Sequence, residues 1–210
     1  MEKHPLTAIV MATTLEAKPF VLGMSLTQSR KKPFAVFQNK NVFLIISGIG
    51  KANAAMATGY LCHTCHPVRV FNLGAAGAAD FSHALGEIFH INQIIEYDRH
   101  KLTTKRPYIH YPDMLNGFQT ARLSTSDMAV LDPDDRKKIS MTADLIDMEG
   151  ASVAQACRKF DTKCFMFKFV SDTPDHAKDE DIVENIRQHR SFFYEFFIRS
   201  VVPLLKKRDL

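Results

Sequence analysis

The sequence predicts an α/β fold in which a mixed central sheet is flanked by helices. Three observations support this. Short apolar, β-branched runs recur along the chain and alternate with segments of helical spacing, the signature of strand and helix layers packed together. The run Cys164 to Val170 is apolar at nearly every position and reads as a buried strand. The chain has 210 residues, which at roughly 150 per domain predicts one domain over residues 1–210, long enough to fold without a disulfide or metal staple.

The elements follow in order. Thr7 to Ala12 reads as a strand. Phe34 to Phe37 and Val42 to Ser47 read as a hairpin pair across Asn39-Lys40-Asn41, and Lys51 to Leu61 as an Ala-rich helix. Val68 to Asn72 and Glu87 to Glu96 are strands, as is Asp144 to Met148, with Glu149 to Phe160 a helix. After the buried strand, Asp179 to Leu205 is a long amphipathic helix with Ile182, Ile186, Phe193, Phe196, Phe197 and Val201 on or near one face. Residues 98–136 are the least regular, with Pro107, Pro112, Gly117 and Pro133, and part of the region is expected to form a long surface excursion suited to a lid.

Composition excludes several classes. A 46% hydrophobic and 24% charged chain is not disordered. Its densest apolar segment, Ser191 to Leu205, is broken by Glu195, Arg199, Ser200 and Pro203, so a membrane span of about 18 apolar residues is not expected. Net charge is only +4, and the basic residues are scattered, which argues against nucleic acid as a partner. Small clusters at Arg30-Lys31-Lys32, Arg136-Lys137-Lys138 and Lys206-Lys207-Arg208 read as solvated turns or helix ends.

Residues Met1 to Leu6 lead into an apolar run without a small-residue cleavage site, so no secretory signal is expected. Four cysteines without such a signal suggest reduced thiols and a cytoplasmic protein. Cys62-His63-Thr64-Cys65-His66 matches the C-x-x-C-H haem-attachment pattern. Attachment normally needs export, and a zinc site would need a second close ligand pair, which Cys157 and Cys164 do not form. The segment reads as a helix end and turn.

In α/β folds ligands bind beyond the carboxyl ends of strands. Five segments fall there. Gly48-Ile49-Gly50-Lys51 follows a strand and opens a helix; it suits a dinucleotide phosphate, a tight turn beside another ligand, or simple packing. Asn72-Leu-Gly-Ala-Ala-Gly77-Ala-Ala79 reads as a second small-residue turn, where either a flat or sugar ligand could approach the backbone or neighbouring elements pack closely. Asp147-Met148-Glu149-Gly150 sets a carboxylate where a strand becomes a helix, either as a cap or as an acceptor for two hydroxyls of a diol. Ser171-Asp172-Thr173-Pro174 sets another just past the buried strand, where Thr173-Pro174 could open a helix or form a turn. Glu16 follows the first strand. Three acids at strand ends make a better candidate for one pocket than any one alone.

Together these segments are similar to the nucleoside phosphorylase superfamily, and most to its 5′-methylthioadenosine/S-adenosylhomocysteine nucleosidase branch, from about Ala8 into the last helix. The resemblance implies the phosphorylase/hydrolase-like fold and hydrolysis of the N-ribosidic bond of a purine nucleoside. It further implies water as nucleophile, no metal or organic cofactor, and a homodimer. It assigns Glu16 as general base on the water, Met148 and Glu149 as holding the nucleoside with the carboxylate on ribose hydroxyls, and Asp172 as proton donor to purine N7. Gly77 matches the turn glycine near the ligand and Val130 an apolar contact to the base. A purine nucleoside phosphorylase, a futalosine hydrolase-type enzyme and an inactive nucleoside-binding homologue are the alternatives. This sequence departs from the pattern at Ala75, where many nucleosidases have serine, and at Met128-Ala129-Val130, which lacks an aromatic.

Overall fold

The computed structural model describes residues 6–176 and 178–207. The first five residues of the expected non-signal start, and Arg208 of the last basic cluster, lie outside the described residues. The strands are β1 (Thr7–Met11), β2 (Thr27–Arg30), β3 (Ala35–Gln38), β4 (Val42–Ile46), β5 (Arg69–Ala78), β6 (Ile88–His100), β7 (Pro107–His110), β8 (Thr120–Thr125), β9 (Leu145–Asp147) and β10 (Lys163–Asp172). The helices are α1 (Thr14–Gly23), α2 (Lys51–Cys65), α3 (Pro133–Ser140), α4 (Gly150–Lys159), α5 (Asp179–Phe196) and α6 (Val202–Lys207), with a π-helical turn, Phe197–Val201, joining the last two. No helix among the described residues is long and apolar enough to cross a membrane.

All ten strands form one mixed sheet in the order β10-β6-β8-β9-β5-β1-β4-β3-β2, with β7 on the outer side of β6. The long strand β10 pairs with β5 in parallel, Cys164 beside Val70, and with β6 antiparallel, Phe167 beside His90. Because β5 also pairs β9, β9 pairs β8 and β8 pairs β6, five strands close into a ring. Strands β1, β4, β3 and β2 extend from it as a flap, while β7 pairs with β6.

Alternation along the central strands feeds two main cores. Ala8 and Val10 of β1 pack with Cys164 and Met166 of β10 beneath α2 and α4. Ile9 and Met11 pack on the other face with Phe165, Phe167, Phe20 of α1 and Phe193 of α5. A strand covered on both faces has no polar side to show, which is why β10 reads as one apolar run. The Ala-rich face of α2, including Ala54 and Ala57, meets Ala151 and Ala154 of α4; small residues on both sides let the helices approach closely.

The structure refines four sequence expectations. Asn72–Ala79 is not a turn: β5 runs through Ala78, its small residues making room for side chains that cross it. Residues 98–136 are a surface excursion only in part: Asp98 to Arg106 are exposed, but the region also holds β7, β8 and the start of α3, and Ala121 and Leu123 of β8 are buried in the sheet. Of the two readings of Thr173-Pro174, the turn is observed rather than the helix. The helix α2 runs past Leu61 through Cys65 and stops at His66 in the left-handed region, so Cys62 to His66 is the expected helix end and turn, with Cys62 buried in the core. The exposed edge strand β2 had no apolar signal to announce it.

Phe20 is fully buried and meets Phe193, Tyr194 and Phe197 at centroid distances of 5.9, 5.2 and 5.7 Å, so it is the contact that seats α1 on the C-terminal helices. Phe20→Ala should cost about 3–5 kcal/mol of folding stability. Urea unfolding followed by circular dichroism measures this; a loss below about 1 kcal/mol would mean that α1 is held elsewhere.

Candidate active site

The carboxyl ends of β1, β5, β9 and β10 meet at one open cleft of about 710 Å³. Glu16, Gly77, Val130, Met148, Glu149 and Asp172 all line it, so the six residues that the resemblance picks out come to one place. Ile49, Met128, Ile182 and Ile186 complete an apolar wall.

Glu16 sits in the first turn of α1. Thr13, the N-cap, receives the Glu16 N–H on its hydroxyl at 3.2 Å and donates that hydroxyl and its own N–H to Glu16 Oε2 at 2.6 and 3.0 Å, a capping box. The other oxygen, Oε1, accepts the Ala75 N–H at 2.9 Å. This is possible because Gly74 has no side chain: a Cβ there would lie 2.7 Å from Oε1. Glu16 is thus a helix cap and a cleft-lining base candidate at once. Ala75, which lacks the serine hydroxyl, contributes its backbone.

Glu149 occupies the N-cap position of α4 but makes no capping bond. Its Oε1 accepts the Gly50 N–H at 2.9 Å. That resolves the Gly48-Ile49-Gly50 turn: both glycines have positive φ, 85° and 99°, and the turn presents an N–H to this carboxylate. The capping role belongs to Asp147, whose Oδ2 accepts the Gly150 N–H at 2.8 Å and whose Oδ1 accepts the Thr125 hydroxyl at 2.6 Å. Lys168 of β10, 2% exposed, places its ammonium 2.8 Å from Asp147 Oδ2. Burial acts to neutralise Lys168, but the carboxylates of Asp147, Glu149 and Glu16 outweigh it and hold the ammonium above its ordinary range. Burial pushes the Glu149 carboxyl up to about 7, with Asp147 adding to the rise and Lys168 and the Gly50 N–H opposing it.

Asp172 is the last residue of β10. Its Oδ1 accepts the Ser171 hydroxyl at 2.7 Å, and its Oδ2 is bound by Arg136 Nη2. A Cβ on Gly77 would lie 2.5 Å from Asp172 Oδ2 and 3.2 Å from Arg136 Nη2, so the glycine is the floor on which this ion pair rests. The sequence placed Asp172 just past the buried strand, as observed, but put Arg136 in a solvated cluster. The structure corrects the latter: Arg136 is 2% exposed and faces inward. Its signal was present, since Asp132-Pro133 marks the helix start and Arg136 lies three residues before buried Ile139, on the same helical face.

Among the described residues that line the cleft, Arg136 is the one cation, and it is engaged with Asp172. Lys168 is paired with Asp147 behind the cleft, and Arg69 lies at the opposite, N-terminal end of β5. The cleft therefore offers carboxylates at both ends and, among the described residues, no cluster of cations for a phosphate.

A family model described as the phosphorylase superfamily matches residues 8–139 and 123–202. A 5′-methylthioadenosine/S-adenosylhomocysteine nucleosidase from Staphylococcus epidermidis is 27% identical over 166 residues, 67% of this chain and 72% of the relative. One of the same description from Bacillus velezensis is 29% identical over 174 residues, 70% of this chain and 73% of the relative. The structure of Arabidopsis thaliana 5′-methylthioadenosine nucleosidase in apo form superposes with a TM-score of 0.86 at 19% identity, covering 99% of this chain and 98% of that one.

The raised Glu149 carboxyl has a consequence for stability. Its unfolded value is 4.5 and its folded value about 7, so the native state binds this proton more tightly. The contribution is fully present below about pH 4.5 and is lost as pH rises through about 7. Glu149→Gln removes the cost of a buried anion, and should melt higher than wild type at pH 8, with the gap shrinking toward pH 5. Thermal melts at the two pH values measure this; a gap that does not change with pH would contradict the burial of a charge at this site.

Proposed function

The chain belongs to the phosphorylase superfamily, and from that premise we propose that it hydrolyses the N-ribosidic bond of a purine nucleoside of the 5′-methylthioadenosine/S-adenosylhomocysteine type. The observation that carries the reading is the convergence of Glu16, Glu149 and Asp172 on one cleft whose single lining cation is already paired.

In this reading the purine lies toward Asp172 and Val130, over the bare backbone of Gly77, and the ribose lies between Met148, Glu149 and Glu16. The C1′–N9 bond breaks with its electron pair passing to the purine, leaving an oxocarbenium-like sugar. The Asp172 carboxyl shares a proton with N7, so the base departs neutral; general acid catalysis of this kind contributes about 10²–10⁴-fold. Glu16 accepts a proton from water as the water oxygen bonds to C1′. Glu149 holds the ribose hydroxyls, and its charge stabilises the positive sugar only in the transition state. Thr13 and the Ala75 N–H keep Glu16 oriented, in place of a serine hydroxyl at position 75.

The four cysteines are free thiols, which fits a reducing compartment and hence the cytoplasm. Ile49 and Met128, 55% and 77% exposed on the cleft rim, fit a homodimer whose interface covers that rim.

The deciding experiment is product identity. Incubated with 5′-modified purine nucleosides, the protein should release free base and a free reducing sugar at a rate indifferent to added phosphate. Formation of a sugar 1-phosphate only when phosphate is present would replace hydrolysis by phosphorolysis.

Asp172→Asn keeps size and hydrogen bonding but cannot pass a proton. Turnover should fall by about 10²-fold or more with nucleoside binding largely retained. Substrates whose leaving group needs no protonation should lose much less. Equal losses on good and poor leaving groups would reduce Asp172 to a structural role.

A further inference from the structure

The turn that gives Glu149 its hydrogen bond has little stiffness of its own. Gly48 and Gly50 both have positive φ, and glycine imposes no direction on a peptide. The direction of the Gly50 N–H must therefore be set by side chains around the turn. Asn53 holds the peptide itself: its Nδ2 donates to the Ile49 carbonyl at 2.8 Å, the carbonyl of the same peptide whose N–H meets Glu149. The two groups of a trans peptide point opposite ways, so fixing the carbonyl aims the N–H. A Cβ on Gly48 would lie 3.3 Å from that Nδ2, and the glycine keeps the approach open.

The next peptide is held from further away. Helix α2 has no side-chain cap from its own N-cap residue, Gly50. Instead the Lys51 N–H donates to Asp127 Oδ1 at 2.9 Å, a carboxylate at a helix start where the dipole favours it. Asp127 is fixed in turn, its N–H donating to Asp98 Oδ2 at 2.7 Å, and Lys51 Nζ donates to Asp98 Oδ1 at 2.5 Å. The three residues close a ring that ties the start of α2 to the end of β6 and the loop after β8. The Lys51 side chain is 14% exposed, and Glu96 Oε1 lies 3.8 Å from its ammonium on the β6 side.

We infer that Asn53, Lys51 and Asp98, none of which lines the cleft, are positioning residues: together they aim the Ile49–Gly50 peptide at Glu149 and so keep its carboxylate ready for the ribose hydroxyls. The inference rests on the nucleosidase reading and adds to it what holds the sugar-binding acid in place. Glu149 is faced by Asp147 of β9, Lys168 of β10 and Glu16 of α1. Those groups stay when the turn is loosened, and the Gly50 N–H is the contact that goes. That N–H favours the charged form and opposes a rise that already reaches about 7. Without it the carboxyl rises further, and less of it is ionised at neutral pH. The acid limb of kcat/KM, which reports groups of the free enzyme, then moves to higher pH.

The test measures kcat/KM against pH for 5′-methylthioadenosine and its 2′-deoxy analogue on wild type, Lys51→Met, Asp98→Asn and Asn53→Ala. These variants remove a positive charge, a negative charge and no charge. A direct effect of charge on Glu149 would move the acid limb up, down and not at all. Lost aim moves it up in all three, by about half a pH unit or more, with kcat/KM at pH 7 falling about threefold or more and the gap narrowing in alkali. The preference for the 2′-hydroxyl substrate should shrink by about threefold or more in each, because the group removed is one that Glu149 holds. An unmoved limb in any folded variant, shifts whose sign follows the charge removed, or an unchanged 2′-hydroxyl preference overturns the inference and leaves the nucleosidase reading intact. If Lys51→Met or Asp98→Asn does not fold, Asn53→Ala, a change at an exposed position, decides the matter. Turnover of neither substrate by wild type overturns the nucleosidase reading and this inference with it.

Discussion

Four carboxylates, Glu16, Asp147, Glu149 and Asp172, are each 5–7% exposed at one end of the sheet, and the local structure is organised around keeping each of them partnered. An isolated buried anion is costly, and neighbouring anions make one another worse. Two buried cations answer two of them: Lys168 for Asp147 and Arg136 for Asp172. Glu16 is answered by two N–H donors and a hydroxyl. Glu149 has the single Gly50 N–H, and it is the group whose carboxyl is raised to about 7. The site thus sheds its surplus negative charge at the position that most needs to be negative when a cationic sugar forms.

The same constraint explains the sequence of β5. A strand interior favours β-branched and aromatic residues, yet this one carries Gly74, Ala75, Ala76, Gly77 and Ala78. Two long acidic side chains cross it, Glu16 over Gly74 and Asp172 over Gly77, each at a distance that a Cβ would close to 2.7 or 2.5 Å. The strand gives up side-chain packing to seat charged groups, and regains pairing energy from β10, with which it is matched from Arg69 to Gly77.

Legibility in the sequence followed this division. Elements with an apolar rhythm, such as Thr7 to Ala12, Cys164 to Val170 and the C-terminal helix, were visible because burial dictates their pattern. The acids Glu16, Glu149 and Asp172 were visible because each stands at a junction. Hidden were the features whose logic is pairwise. The run Asn72 to Ala79 looked like a turn because its small residues answer to side chains from other elements. Arg136 looked solvated because its partner lies 36 residues away. Lys168 sat in an apolar strand with no local clue to Asp147. Strand β8, only six residues long and carrying Arg122, Ser124 and Thr125, lacked the apolar density that marks a central strand, and so the stretch around it read as irregular.

The closure of β5, β9, β8, β6 and β10 into a ring bears on how this protein ages and fails. A sheet with open edges can fray strand by strand, losing a site while most of the fold survives. Within a ring, no member strand can leave without breaking hydrogen bonds on two sides, so opening there draws on the global stability rather than on a local fluctuation. Asp147 and Asp172 lie on ring strands, Glu149 immediately follows one, and Glu16 is bonded to another through Ala75. A damaged population of this molecule is consequently divided into intact catalysts and unfolded chains, with the count of active sites standing for the count of folded molecules.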